Sequence, residues 1–145
     1  MVYIAVRDAN PVHIETLMQP DVMTIPENTF SPEARRPAAT GPVFSVSPMD
    51  GALHMRYTAR TRSIRWKEDA ATREAVELLE RLLTPPVSHA FQVRLEAGQG
   101  IVCNNVLHDR EAFHDDPASG RKRLLWRARY RERVADTLAV PATGN

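Results

Sequence analysis

The sequence predicts a mainly β protein with one or two helices, on three observations. Proline is frequent, at 11 of 145 residues, and aromatic residues make up only 6%. That composition suits loop-rich β structure more than a helical bundle. Several segments alternate apolar and polar residues, most clearly near the C-terminus from Arg123 to Tyr130. One long stretch alone, Asp69 to Leu83, repeats apolar residues at helical spacing. The length fits a single domain, 1–145, with enough chain to bury a core.

Taken in order, Val2-Tyr3-Ile4-Ala5-Val6 is an apolar run of strand type, broken by Asp8-Ala9-Asn10-Pro11. Val12 to Met18 has the length of a short helix, stopped by Pro20. Residues 20–48 are punctuated by Pro26, Pro32, Pro37 and Pro42 and read as an irregular connection within the domain. Val43 to Ser47 and Leu53 to Tyr57 form a hairpin pattern around Pro48-Met49-Asp50-Gly51, whose Asp-Gly end suits a turn. His54 lies on the opposite face from Leu53 and Met55, as an ordinary polar strand residue would. In the helix, Asp69 serves as N-cap, and Ala75, Val76, Leu79, Leu82 and Leu83 form the apolar face. Pro85-Pro86 ends it. His89 to Leu95 alternates as a strand. Gly98-Gln99-Gly100 is a turn that feeds a short apolar strand, Ile101-Val102-Cys103. Cys103 reads as a small buried apolar residue.

The most informative stretch follows. Asn104-Asn105-Val106-Leu107-His108 ends that strand, and Asp115 to Gly120 supplies turn chemistry. The chain then returns through Arg121 to Tyr130. Leu124, Trp126, Ala128 and Tyr130 share one face; Arg123, Leu125, Arg127 and Arg129 share the other. The arginine face is either a solvated surface or the lining of a pocket for a carboxylate, whose two oxygens match the planar guanidinium fork.

The order Asn105-x-x-His108-x-Arg110-x-x-Phe113, then Arg123 and Arg127, resembles the C-terminal signature of the taurine dioxygenase-like (TauD/TfdA-like) Fe(II)/2-oxoglutarate-dependent oxygenases. The resemblance implies that His108 is the distal iron ligand. It makes Arg123 the clamp on the far carboxylate of 2-oxoglutarate, with Arg127 as a second arginine and Arg121 as a competitor for the clamp. Asn105 would support the loop by hydrogen bonds. The implied fold is a partial double-stranded β-helix, the cupin-like jelly-roll. The implied reaction is hydroxylation of a small organic molecule with Fe(II) and the cosubstrate 2-oxoglutarate.

The family supplies its other two iron ligands as His-x-Asp or His-x-Glu well before the distal histidine. His13-Ile14-Glu15 has the right order but falls in a helical turn, and His114-Asp115-Asp116 follows His108 in a loop. The chain is therefore expected to be the C-terminal part of a larger oxygenase fold, inactive alone, with 134–145 a flexible tail. A missing N-terminal half, or a second copy joined through open strand edges, is the expected partner.

The rival reading is a non-catalytic β module that acts by protein association. A nucleic-acid surface is disfavoured, since net charge is +1 and Trp126 and Tyr130 lie opposite the arginines. No segment has the length of a membrane span, and no signal peptide is evident. A single cysteine excludes an intrachain disulfide and fits a reducing, cytoplasmic setting.

Overall fold

The computed structural model describes residues 1–29, 35–58, 64–84, 90–104, 106–112, 114–115, 118, 120 and 124–128. They fall into two units, Met1–Arg94 and Leu95–Asn145. The first is mixed α/β: α1 (Val2–Ala9), α2 (Pro11–Leu17), β1 (Met23–Ile25), β2 (Ala39–Gly41), β3 (Phe44–Val46), β4 (Leu53–Met55), β5 (Arg65–Trp66) and α3 (Ala70–Leu83).

Among the described residues three helices stand where one or two were expected, because the first apolar run is not a strand. Short apolar runs do not distinguish helix from strand by period. As α1 the run buries Val6 and packs Val2 and Tyr3 against the core, leaving Ile4 exposed. The break at Asn10-Pro11 is a helix start. The Asn10 side chain accepts from the Val12 N–H at 3.1 Å, and Pro11 occupies the first turn of α2, where no N–H is needed. The expected short helix is present as α2 and turns Ile14, Thr16 and Leu17 inward.

Residues 20–48 are more regular than their prolines suggest. β1 lies centrally in a three-stranded antiparallel sheet, order β2-β1-β5, with Met23 opposite both Gly41 and Trp66. Thr24 and Thr40 join hydroxyls at 2.8 Å across β1 and β2. A bridge between Asn28 and Arg36 extends this ribbon. The expected hairpin is β3–β4, with Phe44 opposite Met55 and Val46 opposite Leu53. Its turn uses Gly51 at φ 68°, a left-handed conformation open to glycine, while Asp50 accepts from the Ala52 N–H at 3.1 Å.

The core lies between the three helices and the strands. Val6, Leu17, Val22, Met23, Val43, Phe44 and Leu79 are fully or almost fully buried. Tyr3 meets Phe44 edge-on, with ring centroids 5.3 Å apart. Trp66 is half-buried against the same core. Val43 N–H donates to Leu17 O at 2.8 Å, and Lys67 N–H to Val22 O at 3.0 Å, so backbone bonds tie the sheets to the helix ends.

At the start of α3, the Asp69 carboxylate accepts from the Thr72 N–H at 2.7 Å. That backbone bond above all holds the carboxyl below its ordinary pKa. A depressed folded-state pKa stabilises the fold above the unfolded carboxyl's value, about pH 4, and this contribution is lost as pH falls through the folded value. Helical circular dichroism should therefore weaken on acidification below about pH 4. Asp69→Asn, which keeps a capping oxygen, should remove part of that dependence.

The second unit departs from the strands expected there. Its described residues 95–104 and 124–128 contain no strand pairing, and neither do residues 90–94 at the end of the first unit. A turn does form, with the Gln99 N–H donating to Glu96 O at 3.1 Å and Gly98 at φ 83°. Ile101, Val102, Leu124 and Trp126 are exposed, and so is Cys103, which the sequence placed in a buried strand. Alternation marks a face suited to burial, but a strand also needs a neighbour to pair with. No such neighbour stands among the described residues. His89, Arg121 to Arg123, Arg129, Tyr130 and the tail 134–145 lie outside the described residues.

Candidate functional site

His108 sits on an exposed stretch of the second unit, after Val106-Leu107. Its ring Nδ1 lies 2.9 Å from the carbonyl oxygen of Val106. A carbonyl can only accept, so Nδ1 donates, and in the neutral imidazole Nε2 then carries the lone pair. That is the tautomer a metal-ligating histidine commonly uses, with a backbone carbonyl orienting the ring. Next to it, the Asp109 carboxylate accepts from the Arg110 N–H.

Arg127 is described and exposed. No hydrogen bond or ion pair joins it to His108 among the described residues. Asn105, Arg121 and Arg123 lie outside the described residues.

The two alternative ligand pairs fare as their positions suggest. His13 and Glu15 lie on α2. His13 is half-buried, with Nε2 3.4 Å from the Asn10 amide nitrogen, while Glu15 is exposed on another side of the helix. Side chains two apart on a helix diverge and do not close on one ion. His114 and Asp115 are exposed, and Asp116 lies outside the described residues. Among the described residues, no three His, Cys, Asp or Glu side chains gather as a metal site.

The first unit has an open groove of about 450 Å³ beside the start of α3. Trp66, Lys67, Asp69, Arg73, Glu77 and Glu80 help line it, and none of them is a residue the sequence proposed for a site. Lys67 is occupied by Asp21 at 3.1 Å and Gln19 at 3.0 Å. Nearby, burial first and Glu80 second raise the pKa of Tyr57. Lys67 also lies 3.9 Å from Asp69, so these two charges of the groove are paired within the unit.

Sequence reasoning gave Arg56 no role beyond the end of a strand. In the fold its guanidinium reaches the backbone of β1 and β2, with Nη2 3.2 Å from Met23 O and Nη1 3.4 Å from Ala39 O. Backbone carbonyls are the same in every residue, so no sequence pattern announces such a contact.

With this geometry in hand, comparison with known proteins adds a decisive finding. Residues 1–129 match the family model described as taurine catabolism dioxygenase TauD, TfdA family. The chain belongs to the TauD/TfdA family. The family is one of Fe(II)/2-oxoglutarate-dependent dioxygenases, and the match runs through His108, Arg123 and Arg127. No curated protein and no solved structure matches the chain. No helix among the described residues is long and apolar enough to cross a membrane.

A TauD/TfdA iron site takes two histidines and one carboxylate on one face of the metal. The described residues do not fit that requirement. Among them no three His, Cys, Asp or Glu side chains converge, so the full set is not assembled there.

Proposed function

We propose that residues 1–145 are the C-terminal part of a TauD/TfdA-type oxygenase that hydroxylates a small organic molecule. His108 supplies the distal iron ligand through Nε2. Arg123 holds the far carboxylate of 2-oxoglutarate, Arg127 lies beside it, and Asn105 supports the loop. The arginines suit this work because a guanidinium binds both oxygens of a carboxylate in one plane. The fold completed by the missing elements is the double-stranded β-helix, to which this chain contributes a part. The observation that carries the reading is the family match, which extends through residue 129 and so spans the histidine and both arginines.

The donor set decides what the chain does alone. One imidazole without its partner ligands binds iron weakly and leaves the cosubstrate without its second anchor. The remaining two ligands come from a polypeptide that carries the strand-terminal His-x-Asp or His-x-Glu. Purified 1–145, given Fe(II), 2-oxoglutarate, ascorbate and air, is expected to form no iron-dependent succinate. Succinate formation that depends on iron would overturn the incompleteness of the chain. Co-expression with a polypeptide supplying His-x-Asp should restore iron binding, and His108→Ala should abolish it again.

A further inference from the structure

Arg56 follows β4, and its N–H donates to Val43 O at 2.8 Å, which fixes where the side chain starts. The side chain crosses to the β1–β2 ribbon and is pinned there by the carbonyls of Met23 and Ala39. Gly41 eases the approach, because a Cβ at that position would stand a tight 3.1 Å from Nη2. The guanidinium is thus held in a defined place, yet its needs are only partly met. Its Nε–H is shielded from water and has no acceptor among the described residues. Both of its acceptors are neutral, and a guanidinium has more N–H groups than two carbonyls use.

The neighbouring charge makes the imbalance larger. Arg36 lies on the same ribbon, through its bridge to Asn28 and its Nη2 bond to Pro26 O at 3.3 Å. Neither arginine has a carboxylate partner among the described residues. Burial first, and repulsion from Arg36 second, lower the pKa of Arg56. Buried polar groups in folded proteins are nearly always satisfied, and an unsatisfied one often marks an unseen water or ion. A water would answer the Nε–H but would bring no negative charge to the two arginines.

We propose that Arg56 and Arg36 form a binding site for a small oxyanion, of the carboxylate or phosphate type, against the β1–β2 ribbon. The anion reaches the exposed part of the half-buried Arg56, and its binding shifts the guanidinium enough to uncover the shielded Nε–H. Nε and one Nη then form a planar fork on two of its oxygens, and Arg36 adds a second positive charge from the rim. The site rests on residues of the first unit alone and does not depend on the role of Arg123.

The test follows the arginine Nε–H resonances of the ¹⁵N-labelled full chain by NMR. Sodium succinate and sodium phosphate are added in separate titrations, at ionic strength held constant with sodium chloride. One resonance, absent from Arg56→Lys, should move along a saturating curve with succinate, phosphate or both. The two titrations tell carboxylate from phosphate. Arg36→Gln, an exposed change, should weaken the response about two- to fivefold, with circular dichroism unchanged. The response should survive Arg123→Leu. No shift, a non-saturating shift that chloride reproduces, or an affinity unchanged in Arg36→Gln would overturn the site. Loss of the response in Arg123→Leu would assign the anion to the other arginine and overturn it equally. Should Arg56→Lys fail to fold, the Arg36→Gln and Arg123→Leu titrations decide.

Discussion

Phe44→Ala is expected to bring the first unit to the edge of unfolding at ordinary temperature. Phe44 is 1% exposed and stands at the centre of the core, edge-on to Tyr3 and opposite Met55 in the hairpin. Truncating a buried phenylalanine costs about 3–5 kcal/mol, through lost burial and the cavity left behind. Small domains have only about 5–15 kcal/mol in all, and a unit of this size belongs at the low end. The hairpin could not collapse into the gap easily, since the Val43 N–H is bonded to the end of α2. Urea unfolding followed by circular dichroism checks the expectation. A midpoint within error of the parent would mean that Phe44 is not a core residue.

The second large effect distinguishes helix from strand at the start of the chain. Val6 is 0% exposed and Ile4 is 43% exposed. A strand would place these two on the same face, whereas a helix separates them. Val6→Asp removes about 1.5–3 kcal/mol of burial and adds an unpaired buried charge, so the total should exceed about 4 kcal/mol. Ile4→Gln should stay within about 0.5 kcal/mol of the parent. Equal damage from the two substitutions would restore the strand reading.

Those two residues also show why part of the fold was hard to read. Val2 to Val6 is short and apolar, with β-branched residues at three of its five positions, so period and propensity both leave helix and strand open. α3 was legible because Asp69 caps it, Ala75, Val76 and Leu79 recur on one face, and two prolines follow. The β3–β4 hairpin was legible because its pairing is local and Asp50-Gly51 marks the turn. β1 and β2 were not. They are three residues each, and Met23 finds Gly41 across a proline-rich excursion, a pairing that tertiary packing selects.

The candidate site divides in the same way. The order of His108 and the arginines after it pointed to a family, and the match over 1–129 agrees on that family. The strands meant to bring them together were read from alternation alone, and residues 124–128 show no such pairing. Arg56 escaped notice because its partners are main-chain oxygens brought in from residues far away in sequence.

The two tryptophans fall one in each unit, in opposite surroundings. Trp66 packs against the core of the first, while Trp126 in the second is 85% exposed. Indole emission depends on contact with water, so the two rings are separate optical reporters already built into the chain. With Trp126 replaced by phenylalanine, the remaining emission follows melting of the first unit alone. With Trp66 replaced instead, a blue shift on mixing with a second polypeptide would announce that the arginine-bearing segment has acquired a cover.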